Sequence, residues 1–513
     1  MSALLEVEPE AVQPAAARRD APADTLADSV ALMLVLLLAQ RLIGFVRGTI
    51  VCRQFGDHHA ELGQWDLALG ILTMAAPLAV FGLPGSFGRF VGYYRRQGHL
   101  KSFLRQTTVV AALLTAATVG AFLVRPDWTS RLFFDHADQT ALVLAMAAGL
   151  GGLVAFNFLN DLFTGLRRFR LVSILQLIHA ASFAALSVAL VMYAGPTAFW
   201  LAVAYGGSCL LGVAVALCFL RGVWPDLPVA EAPLGRPELW KRLLPFAAWL
   251  WVTNVVSNLF MLLDRELIVH FSGYPEQVAL ELIGNYHAAR LMPLLLASIG
   301  ATLAGVVMPH FSHDWEEGRR REVSHSTNLS LRLVGLLLTA GGAGILLIAP
   351  WMFGVAFEGK YAAGEAVLPW TITFCVWLGM TGLAQNYLWC AERVGLGSLA
   401  LFIGLLLNVG LNLALVPRYG LQGAVWATAA ANLLALTLTY LFAYRVGLKP
   451  DFRVWLATLL PLSLAAGLVA ALVAVLIVLL LALATNWLID AAEKQMLRGV
   501  LDKYLRRVRL RRR

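Results

Sequence analysis

The chain has 513 residues, of which 59% are hydrophobic and only 14% charged, with a mean hydropathy of +0.72. Soluble proteins average about 25% charged residues, so the composition excludes a soluble globular domain and points to a polytopic membrane protein. The net charge of +9 is explained by where the basic residues fall, and no nucleic-acid partner is expected.

Residues 1–25 form a polar, Ala/Pro/Asp-rich stretch without a basic n-region or an apolar h-region. They are expected to be a disordered cytoplasmic tail and not a cleaved leader. A helical span needs about 20 apolar residues. Segments of that kind run near 29–52, 66–92, 104–124, 140–165, 171–193 and 198–220, then 243–269, 284–309, 328–350, 365–390, 397–416 and 423–443. A last block, 454–489, is long for one span and slightly short for two. A break near Gly467 makes it a hairpin.

The predicted fold class is therefore an all-α polytopic membrane protein with about 14 transmembrane helices, 13 being the alternative. Residues 26–222 form an N-terminal lobe, 223–242 a cytoplasmic linker and 243–446 a C-terminal lobe. Residues 447–489 form the hairpin and 490–513 a basic cytoplasmic tail suited to anionic lipid.

Basic residues are unevenly placed. With the N-terminus inside, twenty-one fall in cytoplasmic connections, and only Arg125, Arg131, Lys360 and Arg418 fall outside. The positive-inside rule then sets both termini in the cytoplasm.

The chain repeats itself at an offset of about 220 residues. ELGQWDLALGILTMAAP (61–77) matches ELIGNYHAARLMP (281–293), and YAGPTAFWLAVAYGGS (193–208) matches PRYGLQGAVWATAAAN (417–432). Asn160 before TGLRRFR occupies the place of Gln385 before LWCAERV. Six helices separate the copies, so the repeat is parallel, about an axis along the membrane normal. It places a central cavity between two lobes.

Six arginines lie in or at the ends of the spans: Arg41, Arg47, Arg53, Arg89, Arg265 and Arg290. A cation at mid-bilayer costs about 2.5–3.5 kcal/mol on insertion scales, and normally faces a water-filled cavity or a fixed partner. Arg41 is about 13 residues into the first helix, hence roughly 20 Å deep, and Gly44 and Gly48 leave its face open. Arg47 and Arg53 can also snorkel to the outer interface. Asn254, Asn258 and Arg265 share one face of the seventh helix, where Asp264 and Glu266 offer Arg265 an ion pair within the helix. Arg290 precedes Pro293, which frees backbone groups for a cavity. Arg89 follows GLPGSFG, where Pro77 and Pro84 should kink the second helix.

Asp161 and Asp264 are candidates for a coupling ion. Asn408 and Asn412 are expected to bond across helices. The GxxxxGK match at 354–360 has no preceding strand and Tyr361 after it, so it is a chance P-loop match. His310 and His313 lack further ligands, the five cysteines have no metal or disulfide spacing, and no cofactor or metal is expected. An arginine-lined cavity among many helices implies transport of an anionic cargo, and not an enzyme.

Several stretches resemble the multidrug/oligosaccharidyl-lipid/polysaccharide exporter superfamily. They are QRLIGFVRGTIVCRQFG, FGLPGSFGRFVGYYRRQG, GLRRFRLVSILQL, LLDRELIVHFSG, NYHAARLMP with MPHFS, and NVGLNLALVPRYGLQGAVWAT. The likeness covers about residues 26 to 450 and is greatest to bacterial O-antigen-type polysaccharide flippases. The first helix is also similar to lipid II flippases in its Arg41/Arg47 spacing.

The resemblance implies a V-shaped two-lobe fold in the bacterial inner membrane and rocking-type alternating access. The cargo it implies is an undecaprenyl-pyrophosphate-linked oligosaccharide, moved from the cytoplasmic to the periplasmic leaflet for polysaccharide or lipopolysaccharide biosynthesis. Its partners would be lipid-linked oligosaccharide, membrane lipids and polysaccharide polymerase or synthase components. Arg41, Arg290, Arg47 and Arg265 would hold the diphosphate, Asn254 and Asn258 would line the same site, and Arg89 would stand at the cytoplasmic entrance. Three alternatives stay open: an ion-coupled multidrug antiporter, a lipid II flippase, and a non-transporting membrane subunit of an export complex.

Overall fold

The computed structural model describes residues 26–134, 139–225, 236–486, 490–491 and 493–495. The expected N-terminal tail, most of the inter-lobe linker and most of the basic C-terminal tail lie outside the described residues. All regular elements described are helical, as long apolar runs require: in lipid every backbone polar group must be satisfied within its own segment.

The first lobe contains α1 (Leu26–Gln54), α2 (His59–Ala79), α3 (Phe87–Arg96), α4 (Leu100–Val124), α5 (Pro126–Phe134), α6 (Thr140–Gly165), α7 (Phe169–Ala194) and α8 (Ala198–Val223). The predicted second span, 66–92, differs in detail. Helix α2 stops at Ala79, where Phe81 and Gly82 take positive φ (50° and 68°) and Pro84 opens a 3₁₀ turn before α3. The second lobe contains α9 (Arg236–Phe271), α10 (Glu276–Glu316), α11 (Arg320–Trp351), α12 (Ala362–Cys390) and α13 (Val394–Val446).

Eleven described helices are long and apolar enough to cross a membrane. One of them is two spans in one. Helix α13 has 53 residues, about 80 Å at 1.5 Å per residue, and reverses at Gly420 (φ 54°, ψ −131°). The Asn408 amide donates to Thr428 at 3.2 Å, so its halves lie antiparallel and Asn408 does bond across helices.

The terminal block is a hairpin of short helices, α14 (Phe452–Leu459) and α15 (Leu462–Ala465) against α16 (Leu468–Ala484), turning at Gly467 (φ 108°). Val478 and Ala482 pack beside Leu460, and Arg453 meets Asp490 at 2.9 Å, which brings the two ends of the hairpin together. Buried Glu493 accepts from buried Arg332 at 2.7 Å and fixes that end against α11.

The two lobes repeat one packing plan. In the first, α1 packs on α7 and α6 on α8; in the second, α9 and α12 both pack on α13. Glycine pairs let helices approach: a Cβ on Gly206 would lie 3.0 Å from Gly149 Cα, and one on Gly300 2.7 Å from Gly379 Cα.

The lobes meet where α2 packs on α10 and α9, and α1 on α10. At the α2–α10 crossing, a Cβ on Gly63 would lie 2.0 Å from the Leu280 carbonyl and one on Gly284 2.1 Å from the His59 carbonyl. Only glycine lets these backbones touch. Gly284→Val is therefore expected to lower stability by about 1–3 kcal/mol, the usual cost of overpacking, read as a lower melting temperature in detergent.

We call the α1–α2 turn the far end and the end holding Pro84 the near end. At the far end Arg53 pairs with Glu358 at 2.9 Å, Lys360 with Asp57 at 2.9 Å, and Tyr361 donates to the Cys52 carbonyl at 2.7 Å. Lys360, the last residue of the GxxxxGK match, thus serves as a bridge between lobes. It holds the Asp57 carboxyl below its usual range, and Asp57 holds the ammonium above its own. A depressed acid loses its contribution only as pH falls through its lowered pKa, and a raised base only as pH rises through its raised one. Protection of residues 357–361 from amide exchange, corrected for intrinsic rates, should hold constant between about pH 5 and 9. It should decline with added salt, because the pair is exposed and screened.

Candidate substrate site

A polar cavity of about 490 Å³ lies between α1, α2, α6, α7 and α9. It runs from Pro84 and Gly85 at the near end to Thr73 and Arg41, and is also lined by Gln40, Asn157, Asn160, Asp161, Gln176, His179 and Asn254. The first lobe supplies nearly all of this lining, and α9 contributes Asn254.

Arg41 is exposed in this cavity, and no described carboxylate lies within ion-pair distance of it. Gly44 beside it faces open space, while Gly48, a turn further, is where Leu291 of α10 packs. Arg47 is half-buried with its Cζ 4.1 Å from the Phe183 ring centroid, a cation–π contact, and it too has no described carboxylate partner. Arg53 is taken up by Glu358 at the far end.

Asn254 lines the cavity, whereas Asn258 turns its amide onto the Asn254 carbonyl at 2.8 Å. Asp161 is half-buried in the cavity wall without a described ion-pair partner. Arg89 is on α3 just after the Pro84 turn, and its side chain lies outside the described residues.

Arg265 and Arg290 occupy a different environment. Both are buried, and both are bound to Asp66 of α2. Arg290 Nη2 donates to the two carboxylate oxygens at 2.8 Å, Arg265 Nε lies 3.0 Å from Oδ2, and His287 Nδ1 lies 2.7 Å from Oδ1. Arg290 also stacks on Tyr286, its Cζ 4.6 Å from the ring centroid.

Asp264 accepts from the Tyr286 hydroxyl at 3.1 Å and from the Arg265 backbone amide at 3.1 Å. The ion pair that the sequence suggests within α9 is thus replaced by one across the lobes. The Arg265 guanidinium rests against Gly70, where a Cβ would lie 2.9 Å from Nη1. Gly70 is one turn from Thr73, so this cluster stands directly beyond the far wall of the cavity.

Of the five intramembrane arginines whose side chains are described, Arg53, Arg265 and Arg290 are paired with carboxylates, and Arg41 and Arg47 have no described carboxylate partner. Asp66, on which this buried cluster converges, is not singled out by the sequence, although a carboxylate inside an apolar segment was the available signal. Chemically, Arg41 offers a planar, permanently charged fork for an anionic oxygen. The surrounding amides, carboxylate and imidazole offer donors and acceptors for hydroxyl groups.

Residues 26–315 match the family model described as "Polysaccharide biosynthesis protein", and residues 281–492 match that of "Lipid II flippase MurJ". An uncharacterised membrane protein of Methanocaldococcus jannaschii is 20% identical over 389 residues, covering 72% of this chain and 74% of that protein. Among solved structures, the lipid II flippase MurJ in an inward closed conformation superposes with a TM-score of 0.64 at 15% identity, covering 87% of this chain and 97% of that one. An inward-facing multidrug resistance MATE family transporter gives 0.60 at 15% identity, covering 81% and 98%. A transporter of the same superfamily from Pyrococcus furiosus gives 0.59 at 14% identity, covering 82% and 94%. At these identities the structures share the fold.

Proposed function

Because this chain belongs to the polysaccharide biosynthesis protein family of the multidrug/oligosaccharidyl-lipid/polysaccharide exporter superfamily, we propose that it is a flippase for undecaprenyl-pyrophosphate-linked oligosaccharide. It carries that cargo from the cytoplasmic to the periplasmic leaflet by alternating access. The observation that carries this reading is Arg41: a deep guanidinium without a described carboxylate partner, in a cavity whose lining also holds five amide side chains, a hydroxyl, a carboxyl and an imidazole. A diphosphate needs a fixed cation out of bulk water, and its sugars need hydrogen-bonding groups in number. Arg47, the second intramembrane arginine without a described carboxylate, stands six residues further along α1 and serves the same anion.

The distribution of basic residues supports a cytoplasmic near end. In that orientation this structure is closed toward the periplasm, where the Gly63–Gly284 crossing and the Arg53–Glu358 and Lys360–Asp57 pairs join the lobes. Its cavity reaches toward the cytoplasm, as a loading state requires.

The test is export of lipid-linked oligosaccharide in a bacterial strain lacking its own flippase. Rescue by the wild-type chain and loss with Arg41→Ala is the expected result. Rescue by both would remove the arginine mechanism. No rescue by a correctly inserted wild-type chain would remove the glycan-flippase reading.

A second reading, lipid II as cargo, is favoured by the match of residues 281–492 to the lipid II flippase model. Both cargoes carry the same diphosphate, so Arg41 serves either. Complementation of a lipid II flippase deletion separates them.

A further inference from the structure

Every member of the buried ion cluster except one belongs to the same lobe. Asp264 and Arg265 are on α9, and Tyr286, His287 and Arg290 are on α10; Asp66 alone comes from α2. It stands one turn from Gly63, where α2 and α10 touch backbone to backbone. The carboxylate is thus on the seam that has to part when the far end opens, and parting it withdraws a single negative charge.

What stays behind is a pair of guanidiniums that had converged on one carboxylate, Arg265 from 3.0 Å and Arg290 from 2.8 Å. Asp264 is already engaged with Tyr286 and the Arg265 amide. Arg290 Nε, buried, has no acceptor even in the closed arrangement. Two guanidiniums held on one carboxylate are spaced to grip a phosphate in its place. Asp264 stays beside them and balances only one of the two charges. Withdrawal of Asp66 therefore leaves a buried net positive charge, which is costly, and the far-open state calls for an anion there.

We infer that Asp66 is an exchangeable counter-ion. In the far-closed state it occupies the Arg265–Arg290 pair, and as the lobes part a phosphate-bearing group takes its place. A ligand shifts a conformational equilibrium only through its differential affinity for the two states. The exchange supplies that difference, because the pair is open to the ligand in one state and filled by Asp66 in the other. Arg41 then acts as the loading cation and Arg265 with Arg290 as the releasing pair, one turn beyond the cavity wall at Gly70. The identity of the carrier rests on the flippase reading above; the phospho-anion chemistry of the pair does not.

The experiment uses the full chain in nanodiscs, with inorganic pyrophosphate and a polyprenyl pyrophosphate as separate probes. Maleimide labelling of Cys52 is the reporter, since Cys52 is fully buried beneath the far-end contacts in this structure. In the wild type, either probe should raise Cys52 labelling several-fold. Asp66→Asn should raise it without a probe and tighten probe binding about tenfold, and adding Arg290→Gln should cancel that tightening.

A response to the polyprenyl compound alone would assign the anion to a lipid headgroup; a response to both would assign it to the phosphate itself. Labelling of the wild type that ignores both probes would overturn the inference, whether or not Asp66→Asn folds. So would a gain in affinity that survives Arg290→Gln. Glycan export that fails while Cys52 still responds to pyrophosphate would sink the flippase reading alone, and export without that response would sink the exchange alone.

Discussion

Arg41→Ala is expected to reduce translocation of lipid-linked oligosaccharide about ten- to hundredfold while leaving stability within about 0.5 kcal/mol. The first figure follows from the loss of charge-assisted hydrogen bonds to phosphate, worth about 1.5–3 kcal/mol. The second follows from the setting of the side chain: exposed in a polar cavity, with no described carboxylate partner to strand and with open space at Gly44 beside it. Substitutions away from packed or paired groups usually stay within that range. Translocation in inverted vesicles, with the melting temperature in detergent as its control, reads both. A loss of activity accompanied by an equal loss of stability would mean that Arg41 supports the fold and not the cargo.

Arg290→Ala should give the opposite signature. Its guanidinium is buried, donates to both oxygens of Asp66 and stacks on Tyr286. Removing one partner of a buried ion pair costs about 3–5 kcal/mol, because the charge left behind has lost both water and its counter-ion. Arg265 and His287 still hold Asp66 in this variant, which places the expected loss toward the lower end. Chemical unfolding in detergent measures it. An unchanged midpoint would show that Asp66 has found a replacement and that the cluster is looser than its distances indicate. The two substitutions delete the same kind of side chain, so any difference comes from its setting: exposed and without a described carboxylate for Arg41, buried on Asp66 for Arg290.

The contrast bears on how a membrane arginine should be read. Its insertion cost demands either water or a counter-ion. Among the described side chains Arg41 faces the polar cavity, Arg53, Arg265 and Arg290 hold carboxylates, and Arg47 rests on the Phe183 ring. Arg53 and Glu358 are 305 residues apart, and Arg290 and Asp66 are 224 apart. No helical periodicity links residues at such separations. The nearby carboxylates that local reasoning offers Arg265, Asp264 and Glu266, are engaged elsewhere: Asp264 by Tyr286, and Glu266 by His270 at 3.4 Å. The P-loop-like Lys360 shows the same effect, its ammonium being committed across the lobes to Asp57.

The class of the protein, its spans and their order could be read from the amino-acid sequence by itself, because lipid imposes a one-dimensional constraint. A segment either carries enough apolar residues to cross or it does not, and reversals such as Gly420 and Gly467 interrupt those runs locally. Which arginines are free and which are neutralised was decided only in the tertiary structure. That outcome depends on α2 meeting α9 and α10 at Gly63, Gly70 and Gly284, a juxtaposition of lobes that brings a single carboxylate within 3.0 Å of two distant guanidiniums. Coulomb attraction acts over ångströms in space, and the chain records only the separation along itself.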